Sequence, residues 1–258
     1  MPRFRITVAY DGRPFAGWQS QPDANTVQDT IETAIASIAG ISPGACRIHG
    51  SGRTDAGVHA LGQVAHFDSP HGSNLEPGIW MKALNAKLPE TVRITECSEV
   101  SHDFHARFSA TKKTYVYRIH HATVHPPLEA GRAWHLYGTL DLDTIREGLT
   151  AINGRHDFCA FVANRGDESD LRDSRVRSIF ETNLTEDNGS ISLEITGDGF
   201  LYKMVRLLTG GLVRCAQGRT SIDWFLGLLR NPKDQKCQYC APAHGLYLKS
   251  VAYSQRND

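Results

Sequence analysis

The sequence predicts an α+β fold made of two successive β-α-β-β-α-β units. Three observations carry that expectation. Short alternating or β-branched runs recur between stretches with helical periodicity. Start and stop residues bound the helical stretches. The Asp187-Asn188-Gly189 turn joins two strand-like runs into a hairpin. Such units correspond to a pair of ferredoxin-like (RRM-like) halves. Their strands are expected to share a largely antiparallel sheet, with helices on one face and a cleft between. The halves are placed at residues 1–105 and 106–258. No sequence identity between them is visible, so the repeat is one of element order.

The elements follow from local pattern. Residues 3–10 (RFRITVAY) alternate and read as a strand, followed by the turn residues Asp11-Gly12-Arg13-Pro14. Thr26-Val27-Gln28-Asp29 resembles a capping box and opens a helix to Ala39, with Val27, Ile31, Ala34, Ile35 and Ile38 on one face and Gly40 as its stop. Residues 46–49 and 63–67 read as strands. Residues 75–88 read as a helix packed through Ile79, Met81, Leu84 and Leu88; Pro77 suits its first turn and Pro89 ends it. Residues 91–97 form the next strand. In the second half, 113–120 is a strand with Tyr115, Tyr117 and Ile119 on one side, and 142–152 is a helix introduced by Asp141. Residues 175–184 and 190–196 form the hairpin, 202–216 and 221–229 are helices, and 245–253 is the closing strand. The polar run 167–173 reads as a surface loop.

The chain has 258 residues, 40% of them hydrophobic and 22% charged, and a formal net charge of zero. These values are ordinary for a globular protein. The neutral total conceals segregation. Arg107, Lys112, Lys113 and Arg118 lie in an acid-free run from His105 to His121, and Lys203, Arg206, Arg214 and Arg219 lie in another from Leu201 to Thr220. Such runs can build one basic face for a phosphate backbone, or simply solvated element surfaces. The six cysteines show no disulfide spacing. The segment Met1-Pro2-Arg3-Phe4-Arg5 lacks the apolar run of a signal peptide, and no stretch is apolar enough for a bilayer. A cytoplasmic protein is expected.

The stretch Gly50-Ser51-Gly52-Arg53-Thr54-Asp55-Ala56-Gly57-Val58-His59-Ala60 holds an arginine and a carboxylate among three glycines. Glycine lets another molecule approach the backbone closely. Asp55 therefore either meets a ligand or caps a turn. Further motifs follow in order: Phe104-His105-Ala106-Arg107-Phe108-Ser109-Ala110, then Lys113-Thr114-Tyr115-Val116-Tyr117-Arg118-Ile119. After them come Phe200-Leu201-Tyr202-Lys203-Met204-Val205-Arg206 and His244-Gly245-Leu246-Tyr247-Leu248. Together, these five motifs resemble those of the TruA-type tRNA pseudouridine synthases and span most of the chain.

The resemblance implies isomerisation of uridine to pseudouridine at positions 38, 39 and 40 of the tRNA anticodon stem-loop. It implies a homodimer in which tRNA bound by one subunit reaches the pocket of the other. Asp55 is then the catalytic nucleophile, and Arg206 the ion partner that keeps it charged. Tyr115 stacks on the extruded uracil and helps move its C5 proton. Arg53 fills the space left by the flipped nucleotide. Arg107 and Lys112 contact the RNA backbone. No metal or cofactor is implied. One point is independent of the resemblance: Arg206 falls near the start of a predicted helix, where a cation opposes the helix dipole and so calls for a partner.

Plainer readings stand beside these. Tyr115 and Tyr117 fit as half-buried strand aromatics, and Arg53 as a phosphate contact. Gly210-Gly211 inside a helix points to close packing, with another subunit or as a kink. Cys237-x-x-Cys240 with His244 and Cys215 has part of a zinc pattern but lacks a second pair. Two rival functions remain: a two-RRM RNA-binding module without catalysis, which lacks RNP-type strands, and a zinc nucleobase enzyme, which lacks His-x-Glu and Pro-Cys-x-x-Cys.

Overall fold

The computed structural model describes residues 1–73, 75–164 and 174–254. The run 167–173 expected as a surface loop lies outside them. The chain is mixed α+β and divides into two units, Met1–Thr111 with Tyr247–Asp258, and Lys112–Leu246.

The first unit begins with β1 (Arg3–Tyr10), whose Phe4, Ile6, Val8 and Tyr10 alternate into the core. Helix α1 (Val27–Ala39) follows. Its Thr26 hydroxyl accepts from the Asp29 amide at 3.2 Å and donates back to the Asp29 carboxylate, while Gly40 closes it at φ 66°. The N-cap bond and the Gly40 stop are as expected, whereas the Asp29 carboxylate takes the Thr26 hydroxyl rather than the backbone amide that a capping box uses. Strand β2 is only His49–Gly50. Of the run expected at 46–49 only His49 pairs, while the Ile48 amide donates to the Glu32 carboxylate at 3.0 Å. Strand β3 (His59–Asp68) starts four residues before the expected 63–67. Its early part is held by the last strand, β10 (Leu246–Tyr253), which pairs in parallel through Tyr247–His59 and Leu248–Ala60. A partner that distant in sequence leaves no local signal.

Helix α2 (Pro77–Lys87) starts on Pro77 at its first position. Its buried face is Trp80 and Leu84, not the expected Ile79 and Met81; Ile79 is 48% exposed. The indole wins the inward position because its area is the larger. Its ring meets Phe67 at 5.3 Å and Phe4 at 6.4 Å. Strand β4 (Val92–Val100) completes the unit. The strand order is β4-β1-β3, with β2 and β10 both on the far edge of β3; every pairing except β10 with β3 is antiparallel.

The second unit is built on β5 (Ala110–His121), which enters from the first. Its sheet runs β5-β9-β8-β7, with β6 (Trp134–Leu136) alongside β5 in parallel. Here β7 is Gly154–Asp157, β8 Val176–Asp187 and β9 Ser190–Gly197. The β8–β9 hairpin turns on Asn188 and Gly189, both at positive φ (46° and 79°), as a two-residue connection favours. The short β6 and β7 were not expected. Helix α3 (Leu142–Ala151) is capped by Asp141, which accepts from the Asp143 and Thr144 amides, and α5 (Ile222–Arg230) by Ser221.

Helix α4 (Met204–Ala216) is buried on nearly every face. A side chain on Gly210 would run into the Tyr239 carbonyl oxygen, and one on Gly211 would meet Phe225 and the Cys237 thiol at 3.1 and 3.3 Å. The two glycines therefore pack α4 against its own chain, the 237–241 segment and α5. The suggested kink or subunit contact is not needed to explain them.

Candidate active site

Asp55 sits half-buried in the loop between β2 and β3. The backbone around it is held from three directions. Upstream, Ser51 donates to the Gln63 side chain at 2.6 Å, and the Gln63 amide donates to the Gly52 carbonyl at 2.9 Å. Next to the carboxylate, the Thr54 hydroxyl shares a hydrogen bond of 2.8 Å with the Tyr10 hydroxyl, and the Thr54 carbonyl accepts from the Trp18 amide. Downstream, the Gly57 amide donates to the Phe15 carbonyl and the Val58 amide to the Asp55 carbonyl. Burial pushes the Tyr10 hydroxyl above its ordinary pKa, so it stays protonated and can donate.

Glycine is demanded where the two chains meet. Gly17 lies at φ 111°, and a Cβ there would come within 2.6 Å of the Thr54 carbonyl oxygen; a Cβ on Gly12 would strike the Val58 carbonyl. The loop after β1 and the loop bearing Asp55 are thus in backbone contact. His59 follows the loop, 2% exposed and stacked on Tyr247 at 4.5 Å. Its Nδ1 accepts from the Gly12 amide at 3.1 Å, and Asp11 lies 3.3 Å away. Asp11 is held below its ordinary pKa, chiefly by Arg13. None of this was legible in advance, since it joins residues far apart in the chain. Arg53, two residues before the carboxylate, is exposed.

In the second unit, Tyr115 is 8% exposed and meets the Phe200 ring edge-on at 5.0 Å. Tyr117 is fully buried and donates to the Pro242 carbonyl at 2.8 Å; Gly245 leaves the room its ring occupies. Tyr117 is therefore a packed strand aromatic. Lys203 caps α4 in the left-handed region at φ 59°, and Arg206 follows three positions into the helix, whose first turn has no acid. Its Nε donates to the Ala241 carbonyl at 2.8 Å, and the Ala241 amide donates back to the Arg206 carbonyl at 3.0 Å. The segment that ties down Arg206 is the one that Gly210 admits. The sequence marked Gly210 as a close contact but not what it contacts.

Arg107 lies in the first unit, exposed, over the Phe108 ring at 5.7 Å. Lys112 lies in the second, exposed, over Phe180 at 5.6 Å. Cys237 is buried with its thiol 3.4 Å from the Leu207 carbonyl, and burial raises its pKa to about 11, whereas Cys240 is exposed. Among the described residues, no group of three or more His, Cys, Asp or Glu side chains converges as a metal site. No helix among them is long and apolar enough to cross a membrane.

The family model described as tRNA pseudouridine synthase matches residues 6–109 and 150–254, and so includes both the Asp55 loop and Arg206. The chain belongs to the tRNA pseudouridine synthase family. It is 45% identical to tRNA pseudouridine synthase A of Akkermansia muciniphila, over 99% of this chain and 96% of that one. It is 39% identical to the protein of the same name from Bacillus subtilis, over 97% and 99% respectively. This synthase is an isomerase, and its reaction is the conversion of uridine in tRNA to pseudouridine.

Proposed function

We propose that this synthase acts on uridines 38, 39 and 40 of the tRNA anticodon stem-loop, with Asp55 as nucleophile. The half 1–105 brings the catalytic loop and the half 106–258 completes the cleft, both ferredoxin-like. The order β4-β1-β3-β2 of the first unit supports that reading for the first half. The reaction breaks the C1′–N1 bond, turns the uracil, and joins C1′ to C5; a proton leaves C5 and one is gained at N1. It is redox-neutral and transfers nothing to or from a second molecule. A carboxylate serves it by attacking the nucleotide or by stabilising charge at C1′. Arg206 is the cation that keeps Asp55 ionised. Tyr115 offers a ring to the extruded uracil and assists the C5 proton, and Arg53 takes the vacated place in the RNA. Arg107 and Lys112 hold phosphates. The enzyme works as a homodimer in the cytoplasm.

The observation that carries this reading is the loop itself. Before Asp55, the Ser51 and Thr54 side chains are held by buried hydrogen bonds, and after it the Gly57 amide is held by the Phe15 carbonyl, while Asp55 is half-exposed. A turn-capping aspartate would not call for such holding, whereas a nucleophile needs it.

The test is incubation with unmodified tRNA transcripts and mapping of isomerised uridines. Wild type modifies 38, 39 and 40. Asp55→Asn forms no pseudouridine yet binds tRNA, Arg206→Ala loses most activity, and Lys112→Ala binds more weakly with a shallower salt dependence. Wild-type turnover by Asp55→Asn would refute the nucleophile assignment.

A further inference from the structure

The residues at 104–109 raise a question that the reaction does not answer. Phe108 is 77% exposed, yet the turn carrying it is tightly fixed. The His105 amide donates to the Ser109 hydroxyl at 3.0 Å, and the Ser109 amide returns to the His105 carbonyl at 2.9 Å. The His105 Nδ1 accepts from the amides of Arg107 and Phe108 at 3.1 and 3.4 Å. Ala106, fully buried, is held at both ends: its amide donates to His66 Nδ1 at 3.1 Å and its carbonyl accepts from the Tyr253 hydroxyl at 2.8 Å. Arg3 anchors the approach by donating to the His102 and Phe104 carbonyls. A large apolar ring is thus held in water with little freedom to fold back.

The ring does not stand alone. Phe108 meets His105 at 4.3 Å, His105 meets His66 at 4.7 Å, and His66 stacks on His49 at 5.1 Å. His105 also lies 5.6 Å from His49, so the three histidine rings form a cluster, with Phe108 at its exposed end. Register places His66 opposite Arg5 and Phe67 opposite Phe4, so the cluster lies on the face of the first unit's sheet away from Trp80 and α2. Burial, and the positive charge of its neighbours, lowers His66 to about 4, and His105 is lowered as well. His66 and His105 are therefore neutral near pH 7, and Arg107, over the Phe108 ring at 5.7 Å, supplies the cation at the exposed end. The run from His105 to His121 contains no carboxylate.

We propose that Phe108, backed by His105 and flanked by Arg107, is a stacking platform for an unpaired base of the tRNA, separate from the uridine that reacts. An exposed aromatic face next to a guanidinium matches a base and its phosphate. Rigidity lowers the ordering cost of binding. A protein partner would be served by the apolar surface without the cation. This inference rests on tRNA being the substrate.

The experiment measures tRNA affinity, turnover at saturating tRNA, and molar mass by light scattering for wild type and for Phe108→Ala, Phe108→Leu and Phe108→Trp. Loss of a stacking aromatic weakens nucleic-acid binding by roughly 5- to 150-fold. Phe108→Ala and Phe108→Leu are expected to raise Kd about 10-fold, Phe108→Trp to restore it, and all three to keep wild-type mass and a kcat within about twofold. Wild-type affinity in Phe108→Ala overturns the platform. Wild-type affinity in Phe108→Leu does so too, because it assigns the effect to apolar contact. A changed mass in Phe108→Ala assigns the ring to contact between copies of the chain and also overturns it. Wild-type protein that neither binds nor modifies tRNA would instead refute the functional reading on which the platform depends.

Discussion

Replacing Tyr10 by Phe removes a buried hydroxyl that bonds Thr54 and Gln63 beside the proposed nucleophile. Tyr10 and Thr54 are 4% and 8% exposed, and their hydroxyls lie 2.8 Å apart. Phe keeps the ring and its tilted contact with Trp18 at 6.0 Å, so little packing is lost. What remains is a buried Thr54 hydroxyl deprived of this partner. A hydrogen bond of this kind contributes about 1 kcal/mol, and stranding a buried partner costs about 1–3 kcal/mol. The expected loss is therefore about 1–2 kcal/mol, which lowers Tm by roughly 2–6 °C in a chain of this size. The catalytic effect is expected to be larger than stability alone predicts. Thr54 is bonded directly to Asp55, and a displacement of about 1 Å at a reacting group can cost about 100-fold in rate. Single-turnover assays with saturating enzyme should show the rate constant for pseudouridine formation reduced at least about 10-fold with tRNA Kd within about twofold. Thr54→Val should behave like Tyr10→Phe, whereas Thr54→Ser, which keeps the hydroxyl, should retain most activity. If Tyr10→Phe melts and turns over like wild type, the clamp on the Asp55 loop does not position it.

Three further outcomes follow from packing and charge. Gly210→Ala should be destabilised by at least about 1–3 kcal/mol on thermal unfolding and lose activity, because its Cβ meets the backbone that fixes Arg206; Gly227→Ala, with open space at its Cβ, should instead gain up to about 1 kcal/mol. Burial, the charges on His105 and His49, and Arg3 hold His66 at about 4 in the folded chain, against an ordinary 6.5. The unfolded chain takes up this proton first, so the associated stability is fully present above pH 6.5 and is lost as pH falls towards 4. Urea titrations at pH 7 and pH 5 should show a loss of about 2 kcal/mol that is absent in His66→Gln.

Features that depend on neighbours in sequence were legible. Thr26 and Asp141 announced two helix starts, because each cap bonds an amide two or three residues on. Asn188-Gly189 announced its hairpin, because few other residues tolerate both positive φ values. The loop at Asp55 was visible as a motif. Its supports were not, because Tyr10, Gly12, Phe15, Trp18 and Tyr247 reach it from other segments. Ile79 and Met81 were expected on the packed face of the helix, but Trp80, one turn before Leu84, is the residue buried there. Cys237 looked like part of a ligand set and proved to be packing against α4.

The first unit is discontinuous in the chain, since its β10 comes last. During synthesis, the β3 edge at His59 and Ala60 emerges long before Tyr247 and Leu248 can pair with it. A nascent chain therefore passes the whole of Lys112–Leu246 through the ribosome with that edge unclosed, when it is open to misassembly. Tyr247 also braces His59, directly after the loop of Asp55. A product truncated before Tyr247 would lack both the brace on His59 and the strand that closes the β3 edge.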